Sequence, residues 1–184
     1  MNALADLIKR HLGLKLADMN EQMWVSHCQS RNREPSLAVY CREITTAAKS
    51  IFDAHSIAWQ TTKDSILKAR NIARQRGAEF MVLLYHQRDF IYYEKVIGEP
   101  PPSSHYEFMA SQTMKDFCQQ NGIALIDTYG PLTTYLNGLA QPVALTSLPF
   151  FRRDGHMNEI GQRLVAQTVL DYIESRQHSE YAKK

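Results

Sequence analysis

Asp154 and His156 are the two residues whose types and spacing are best suited to chemistry, and they stand on either side of Gly155. A carboxylate that accepts from the Nδ1–H of an imidazole fixes the tautomer and orientation of the ring, which leaves Nε2 free to take a proton from a hydroxyl nucleophile. Gly155 permits a tight backbone, and Asn158 can cap a helix that holds the loop rigid. The spacing therefore predicts an acid, Asp154, and a base, His156. The alternative is an ordinary Asp-Gly turn followed by a half-exposed histidine.

A nucleophile has to lie beside such a pair, and the sequence offers only weak candidates. Ser147 is close to the pair and Ser26 lies in a polar segment, but neither has the glycine-flanked, strained turn that exposes a nucleophile. Cys28 and Cys118 are alternatives in principle, and Cys118 fits better as a small apolar residue on a helix. The sequence therefore leaves the nucleophile unidentified.

Three further residues are candidates for contact with a substrate. Tyr85 and His86 end a predicted strand, and Arg153 directly precedes the acid. In open α/β sheets, functional groups gather beyond the carboxyl ends of the strands. For His86 the alternative is a strand-end histidine that hydrogen-bonds to the backbone. Because the histidines show no paired ligand spacing on one element, we expect no metal site, and we expect no cofactor.

Four aromatic residues near these positions have two interpretations. They could form a wall against a sugar ring, or they could be ordinary core and rim packing. They are Tyr92, Tyr93, Phe150 and Phe151.

The elements that would position these residues alternate between helix and strand. The apolar runs Phe80–Tyr85 and Ile123–Asp127 are continuous and bounded by polar residues, as expected of strands covered on both faces in a parallel sheet. The alternation indicates an α/β sheet with right-handed crossovers. The predicted helices run from an N-cap at Thr62 to a left-handed Gly77, from His105 to Gln120 with an end at Asn121-Gly122, and onward from about Asn158.

The amino-terminal part is less regular. Met1–Leu16 has apolar residues at helical spacing and is predicted to be a short amphipathic helix. Residues 18–35 are irregular and polar, and residues 36–42 fit either a strand or the first turn of a helix. We expect one domain over residues 1–184, with an unplaced part at 1–58 and the α/β region at 59–175.

Composition excludes several classes of partner. The formal net charge is +2 and the basic residues are scattered, so we expect no nucleic-acid binding. The three cysteines form no Cys-x-x-Cys pair, which disfavours a disulfide framework or a thiolate metal site. Charged residues interrupt the first helix, so we expect no signal peptide and no membrane insertion, and a cytoplasmic location by default.

The segment from Asp154 to Ala166, Asp-Gly-His-Met-Asn-Glu-Ile-Gly-Gln-Arg-Leu-Val-Ala, resembles the last conserved block of the SGNH (GDSL-like) hydrolase family. It looks most like the branch of polysaccharide O-acetyltransferases and alginate-acetylation proteins, over roughly Trp59 to Ile173. The resemblance implies a three-layer, flavodoxin-like parallel sheet with flanking helices, incomplete at its N-terminal side. It also implies that Asp154 and His156 are the acid and base of a triad acting on a carbohydrate ester. Members of this branch often work outside the cytoplasm.

Two motifs of the resembled family are absent. No Gly-Asp pair occurs in the chain, so the block that carries the serine nucleophile is missing, and no Asn-Asp pair occurs, so a donor of the oxyanion hole is missing. Removal of one oxyanion donor costs about a hundredfold to a thousandfold in turnover.

Three hypotheses follow. The first is an SGNH-type ester hydrolase or O-acyltransferase. The second is a non-catalytic binding or assembly module, which accounts for the missing motifs. The third is a split enzyme, in which a protein partner or a second copy completes the sheet and supplies the nucleophile.

Overall fold

The computed structural model describes residues 37, 56–103, 105–151 and 155–181. The predicted helix Met1–Leu16, the irregular segment 18–35 and, Leu37 apart, the element expected at 36–42 lie outside the described residues. Arg153 and Asp154 lie outside them as well. The single domain over 1–184 therefore stays a prediction.

Two short strands form a parallel sheet, β1 over Met81–Leu84 and β2 over Ala124–Asp127. The register sets Val82 beside Leu125. Both strands fall inside the predicted apolar runs, and the predicted α/β class is confirmed. The part of the sheet that the structure describes consists of these two strands.

Helices connect and flank the strands. Among the described residues they are α1 (Ile57–Gln75), α2 (Arg88–Ile97), α3 (Tyr106–Gln120), α4 (Tyr129–Asn137) and α5 (Glu159–Tyr181), with a single 3-10 turn at Leu145–Ser147.

One face of the sheet packs against α1 and α3. Trp59 of α1 meets Phe117 of α3 edge to face, with ring centroids 5.7 Å apart, and Val82 of β1 packs against the same cluster. Side chains alternate along a strand, so Leu83 points to the opposite face, where it is 42% exposed. Helix α5 also contacts β2. Because of this alternation, the two residues that follow β1, Tyr85 and His86, point to opposite sides of the sheet.

The ends of α1 test two predictions. The helix begins at Ile57 because the hydroxyl of Ser56 accepts from the backbone N–H of Trp59 at 3.1 Å. The predicted N-cap at Thr62 is therefore wrong, and its hydroxyl instead donates to the carbonyl of Ala58. The left-handed conformation predicted for Gly77 is confirmed, with φ of 69°.

Helices α2 and α4 were not predicted. The residues of α2 from Arg88 to Tyr93 are all buried, and the two charged ones, Arg88 and Asp89, begin the helix. It packs on α4, and α4 packs on α5. The apolar side chains between these helices form a second cluster, which includes Leu37. The two unpredicted helices thus enclose the second half of the core and support the loop before α5.

The predicted limits of α3 and the predicted start of α5 are confirmed. His105 caps α3, since its Nδ1 accepts from the backbone N–H of Glu107 at 3.2 Å. Burial lowers the pKa of His105, which favours the neutral ring that can accept this bond. Helix α3 ends at Gln120, and Gly122 follows with φ of 59°. Helix α5 begins at Glu159, directly after Asn158.

Candidate active site

A narrow loop presents His156. Phe150 and Met157 form an antiparallel bridge, and the backbone N–H of Phe151 donates to the carbonyl of His156 at 3.0 Å. These two contacts pair the chain on either side of residues 152–154, so that Phe151 and His156 lie beside each other. The His156 side chain is exposed. Asp154, the predicted acid, lies in the undescribed part of this loop.

Asn158 anchors the loop to α5. Its Oδ1 accepts from the backbone N–H groups of Ile160 and Gly161 at 3.0 and 3.2 Å, which confirms the predicted cap. Its Nδ2 donates to the carbonyl of Leu148 at 2.6 Å, and its backbone N–H donates to the carbonyl of Pro149 at 3.1 Å. One residue therefore ties the helix start to the segment that enters the loop.

Gly161 lets α5 approach that segment closely. A Cβ at this position would overlap the carbonyl oxygen of Pro149 and press on the side chain of Met157. Gly161 has ordinary helical backbone, so a glycine is required here by the lack of space and not by a left-handed conformation. The close approach of α5 to Pro149, and with it the position of His156, therefore depends on the absence of a Cβ at residue 161.

Arg88 holds the other end of the loop. It is the first residue of α2 and only 7% exposed, and its Nη1 donates to the carbonyl of Phe151 at 3.0 Å. Sequence reasoning missed this residue. Its position two residues after His86, a predicted substrate contact at a strand end, was the signal in the sequence that could have indicated it.

Tyr85 turns toward the same loop. It follows β1 on the side of Leu83, and its ring is 47% exposed. Partial burial raises the pKa of Tyr85, an effect opposed by the backbone of Met157 beside its hydroxyl. Tyr85 thus lies next to Met157, the residue that follows His156.

His86 turns to the opposite side, so the two predicted substrate contacts separate. The imidazole is 1% exposed, and its Nε2 lies 2.7 Å from Oδ1 of Asp127, at the end of β2. Its Nδ1 lies 3.4 Å from Oε1 of Glu107 on α3. Lys115 lies 2.6 Å from the other oxygen of Asp127. His86 is bonded to side chains, and the alternative of a backbone-bonded strand-end histidine does not describe it.

The charges of this network follow from its contacts. Burial alone would lower the pKa of His86, but the carboxylates of Asp127 and Glu107 outweigh it, and the pKa lies above its ordinary value. Burial would raise the pKa of Asp127, but the hydrogen bonds from His86, Lys115 and the backbone N–H of Tyr129 hold it well below its usual range. Asp127 is therefore ionised, and His86 tends toward the imidazolium.

Glu107 and Asp89 bring two more carboxyl groups to the buried side. Oε1 of Glu107 accepts from the backbone N–H of Gln87 at 2.7 Å, and its Oε2 has no hydrogen-bond partner among the described residues. Burial, together with the nearby charge of Glu107, raises the pKa of Asp89 to about 6. Asp89 belongs to α2 and Glu107 to α3, and both residues are buried.

A cavity of about 140 Å³ opens beside His86 at the carboxyl ends of both strands. Its polar side is formed by Asp127 and by three residues of α3, Ser111, Gln112 and Lys115, and its apolar side by aromatic rings and prolines. Burial raises the pKa of Tyr129 to about 12, so its phenol stays neutral. The apolar wall consists of Phe90, Phe108, Tyr129, Pro100 and Pro101.

The candidate nucleophiles are spread over the chain. Ser147 lies in the 3-10 turn before Leu148 and is partly exposed. Cys118 is buried in the cluster between α1 and α3, where burial raises the pKa of its thiol, so it is a core residue as the sequence favoured. Ser26 and Cys28 lie outside the described residues.

The aromatic wall against a sugar is wrong for three of its four residues. Tyr92, Tyr93 and Phe150 are buried in the second core cluster, where Tyr92 and Phe150 meet edge to face at 5.6 Å. Only Phe151, which is 51% exposed, remains available to a ligand. The alternative of core packing is correct for the other three.

Among the residues that the structure describes, no helix has the length and hydropathy that a membrane span requires. The histidine, cysteine, aspartate and glutamate side chains of the same described residues form no group of three or more arranged to hold a metal ion.

Comparison with known proteins places the chain in a family. The model of the SGNH hydrolase-like domain of the acetyltransferase AlgX matches residues 46–184, which is more than half of the chain and includes both strands and the His156 loop. No curated protein and no solved structure matches. The chain therefore belongs to the SGNH hydrolase-like family of the acetyltransferase AlgX.

Proposed function

We propose that this chain carries the acid and base of an SGNH-type acyl-ester site, with Asp154 as the acid and His156 as the base. The observation that carries the proposal is the family match over a loop that presents an exposed His156 at the start of α5. In α/β sheets this region, beyond the strand ends, is where loops and helix starts bring functional groups together.

The chemistry follows from the two residues. Nε2 of His156 takes the proton of a hydroxyl nucleophile as that oxygen attacks the ester carbonyl, and then gives the proton to the departing alcohol. Asp154 keeps Nδ1 protonated, so that Nε2 can act as the base. Water as the final acceptor makes the reaction a hydrolysis, and a sugar hydroxyl makes it an O-acyl transfer. The proposed substrate is an O-acetyl ester of a carbohydrate, contacted by Tyr85 and Arg153.

His86 has a different place in this proposal. Its imidazole is buried between Asp127 and Glu107, on the side of the strand end away from Tyr85. We assign it to the cavity beside Asp127 and Lys115 and to the support of the two strand ends. A ligand that enters the cavity can still meet His86 from that side.

A second function is favoured by the absent motifs. Without a Gly-Asp-Ser block or an Asn-Asp pair, the chain lacks the family's nucleophile and one of its oxyanion donors. The same fold would then serve as a non-catalytic binding or assembly module, or as one part of a site that another chain or a second copy completes.

The test is hydrolysis of p-nitrophenyl acetate by the purified chain and by His156→Ala. Exposed imidazoles attack this activated ester unaided, so the matched control is His178→Ala, which removes an exposed histidine near the end of α5. We expect His156→Ala to lower turnover by about a thousandfold or more and His178→Ala to leave it unchanged. Equal rates for all three proteins would exclude autonomous catalysis by His156.

A second measurement separates the two functions. A fluorophosphonate probe forms a stable bond with an activated serine, and peptide mass spectrometry locates the labelled residue. Labelling that disappears in His156→Ala would identify the nucleophile and support the esterase. Absence of label together with absence of turnover would support the non-catalytic module.

A further inference from the structure

We infer that Arg88 is a positioning residue, which holds the backbone of Phe151 and, through the bond from Phe151 to His156, sets where His156 stands. The inference rests on the proposed function of His156 for its catalytic consequence. Its structural part, that one buried guanidinium tethers the loop, stands on the contacts of Arg88 alone.

The location of Arg88 is costly for a cation. The side chain is 7% exposed, and the residue begins α2, where the helix dipole disfavours positive charge. A buried charge requires partners that replace its hydration. Asp89, the next residue, is one charge that interacts with it, since Arg88 lowers the pKa of Asp89 against the larger effect of burial.

The bond from Arg88 reaches the loop at its first residue. Nη1 donates to the carbonyl of Phe151 at 3.0 Å, while the N–H of Phe151 donates to the carbonyl of His156 at 3.0 Å. Both backbone groups of Phe151 are thus engaged, one by α2 and the other by the residue that carries the proposed base. Because Arg88 acts through Phe151, it positions His156 by way of the backbone.

The other end of the loop is fixed independently. Asn158 bonds to the first turn of α5 and to Leu148, with no part taken by Arg88. Loss of Arg88 should therefore free the backbone at Phe151 and leave the helix cap intact. A guanidinium needed only for general stability would, when removed, loosen both ends together.

Amide hydrogen exchange tests the tether without reference to activity. In Arg88→Met we expect the amide of Phe151 to exchange at least tenfold faster, while the amide of Gly161, bonded to Asn158, keeps its rate. Arg88→Lys, which retains one donor, should lie between. The matched control is Arg70→Met, which removes another guanidinium that donates to a backbone carbonyl, that of Asn121 at 2.9 Å; it should leave Phe151 protected.

The catalytic consequence is read from turnover. We expect kcat of Arg88→Met to fall about tenfold to a hundredfold, since small misplacements of a catalytic group have effects of that size. Guanidinium chloride at low millimolar concentration should restore part of the lost kcat in Arg88→Ala and leave the kcat of Arg70→Ala unchanged.

Three results would overturn the inference: unchanged protection of Phe151 in Arg88→Met, equal loss of protection at Phe151 and Gly161, or an unchanged kcat despite a freed Phe151. Failure of the proposed function would look different, because the wild-type chain and His156→Ala would then hydrolyse the ester equally. The exchange rates at Phe151 and Gly161 would still decide whether Arg88 holds the loop.

Discussion

Nε2 of His86 lies 2.7 Å from Oδ1 of Asp127, and this contact joins the carboxyl ends of the two strands. The hydroxyl of Thr128 adds a second link, since it donates to the carbonyl of Leu84 at 2.9 Å. The imidazole also faces Glu107, so it lies between two carboxylates and is almost wholly buried. The strength of the link therefore depends on the protonation of His86.

We expect His86→Gln to lower the free energy of unfolding more at pH 6 than at pH 9. The folded-state pKa of His86 is raised, so the stability contributed by its protonation is fully present below the unfolded pKa of about 6.5. That contribution is lost as the pH rises through the folded pKa. Urea denaturation of both proteins at several pH values measures the difference.

The control for this experiment is His178→Gln, which removes an exposed histidine. Its difference from the wild-type protein should stay small and should not follow the same pH dependence. A His86→Gln difference that is the same at pH 6 and pH 9 would show that the imidazole is not the source of the pH dependence.

Asp89→Asn should stabilise the protein at pH 8. The pKa of Asp89 is raised to about 6 by burial, above the ordinary 3.8, so the folded state holds a proton that the unfolded state releases. Stability therefore falls as the pH rises from about 4 to about 6 and stays reduced above that. The asparagine is never ionised, so we expect the variant to gain on the order of 2 kcal/mol at pH 8 and little at pH 4.

Thermal unfolding of both proteins at pH 4 and pH 8 measures this gain. A matched control is Asp116→Asn on α3, whose carboxylate is exposed to solvent; it should change stability little at either pH. A loss of stability in Asp89→Asn at pH 8 would mean that the ionised carboxylate has a stabilising role in the first turn of α2.

The sequence predicted the parts of the fold whose signals are local. Continuous apolar runs located β1 and β2, and Asn158 was recognised as a cap because its type and its place before an apolar stripe are enough. Helix α2 was missed although its apolar residues recur at helical spacing, because it is only ten residues long and begins with a charged pair, Arg88 and Asp89, that is buried in the fold.

The loop position of His156 could be predicted because it belongs to a contiguous motif, whereas contacts between residues distant in sequence could not. His156 belongs to a short motif, and its exposure on a loop before α5 suits the expected position of a base. The partners of His86, Asp127 and Glu107, lie 41 and 21 positions away, and the contact of Arg88 with Phe151 spans 63 positions. No local pattern shows such contacts, so the separation of Tyr85 from His86 and the tether at Arg88 emerged only from the structure.

Asn158→Ala should destabilise the protein by about 1–2 kcal/mol, because it removes the acceptor for two backbone N–H groups of α5 and the donor to Leu148. Asn158→Asp separates the two contributions. It keeps the acceptor at the helix start, but it replaces the donor with an oxygen that faces the Leu148 carbonyl. We expect chemical denaturation to rank the proteins, from most to least stable, as wild type, Asn158→Asp and Asn158→Ala, because the cap accepts two bonds and the amide donates one. The reverse order of the two variants would show that the bond to Leu148 contributes more than the cap.

Gly161→Ala should destabilise the protein by about 1–3 kcal/mol, since the added Cβ overlaps the carbonyl of Pro149 and must push α5 away from the loop. The matched control is Gly138→Ala at the end of α4, whose φ of −75° suits any residue and where an added Cβ would make only ordinary contacts, at 3.5 Å; we expect it to change stability by less than about 1 kcal/mol. Urea denaturation measures both. Because the displaced segment leads into the loop of His156, ester hydrolysis should fall in Gly161→Ala even at temperatures where the variant is fully folded. A Gly161→Ala protein as stable as Gly138→Ala would mean that the approach of α5 to Pro149 is looser than the structure shows.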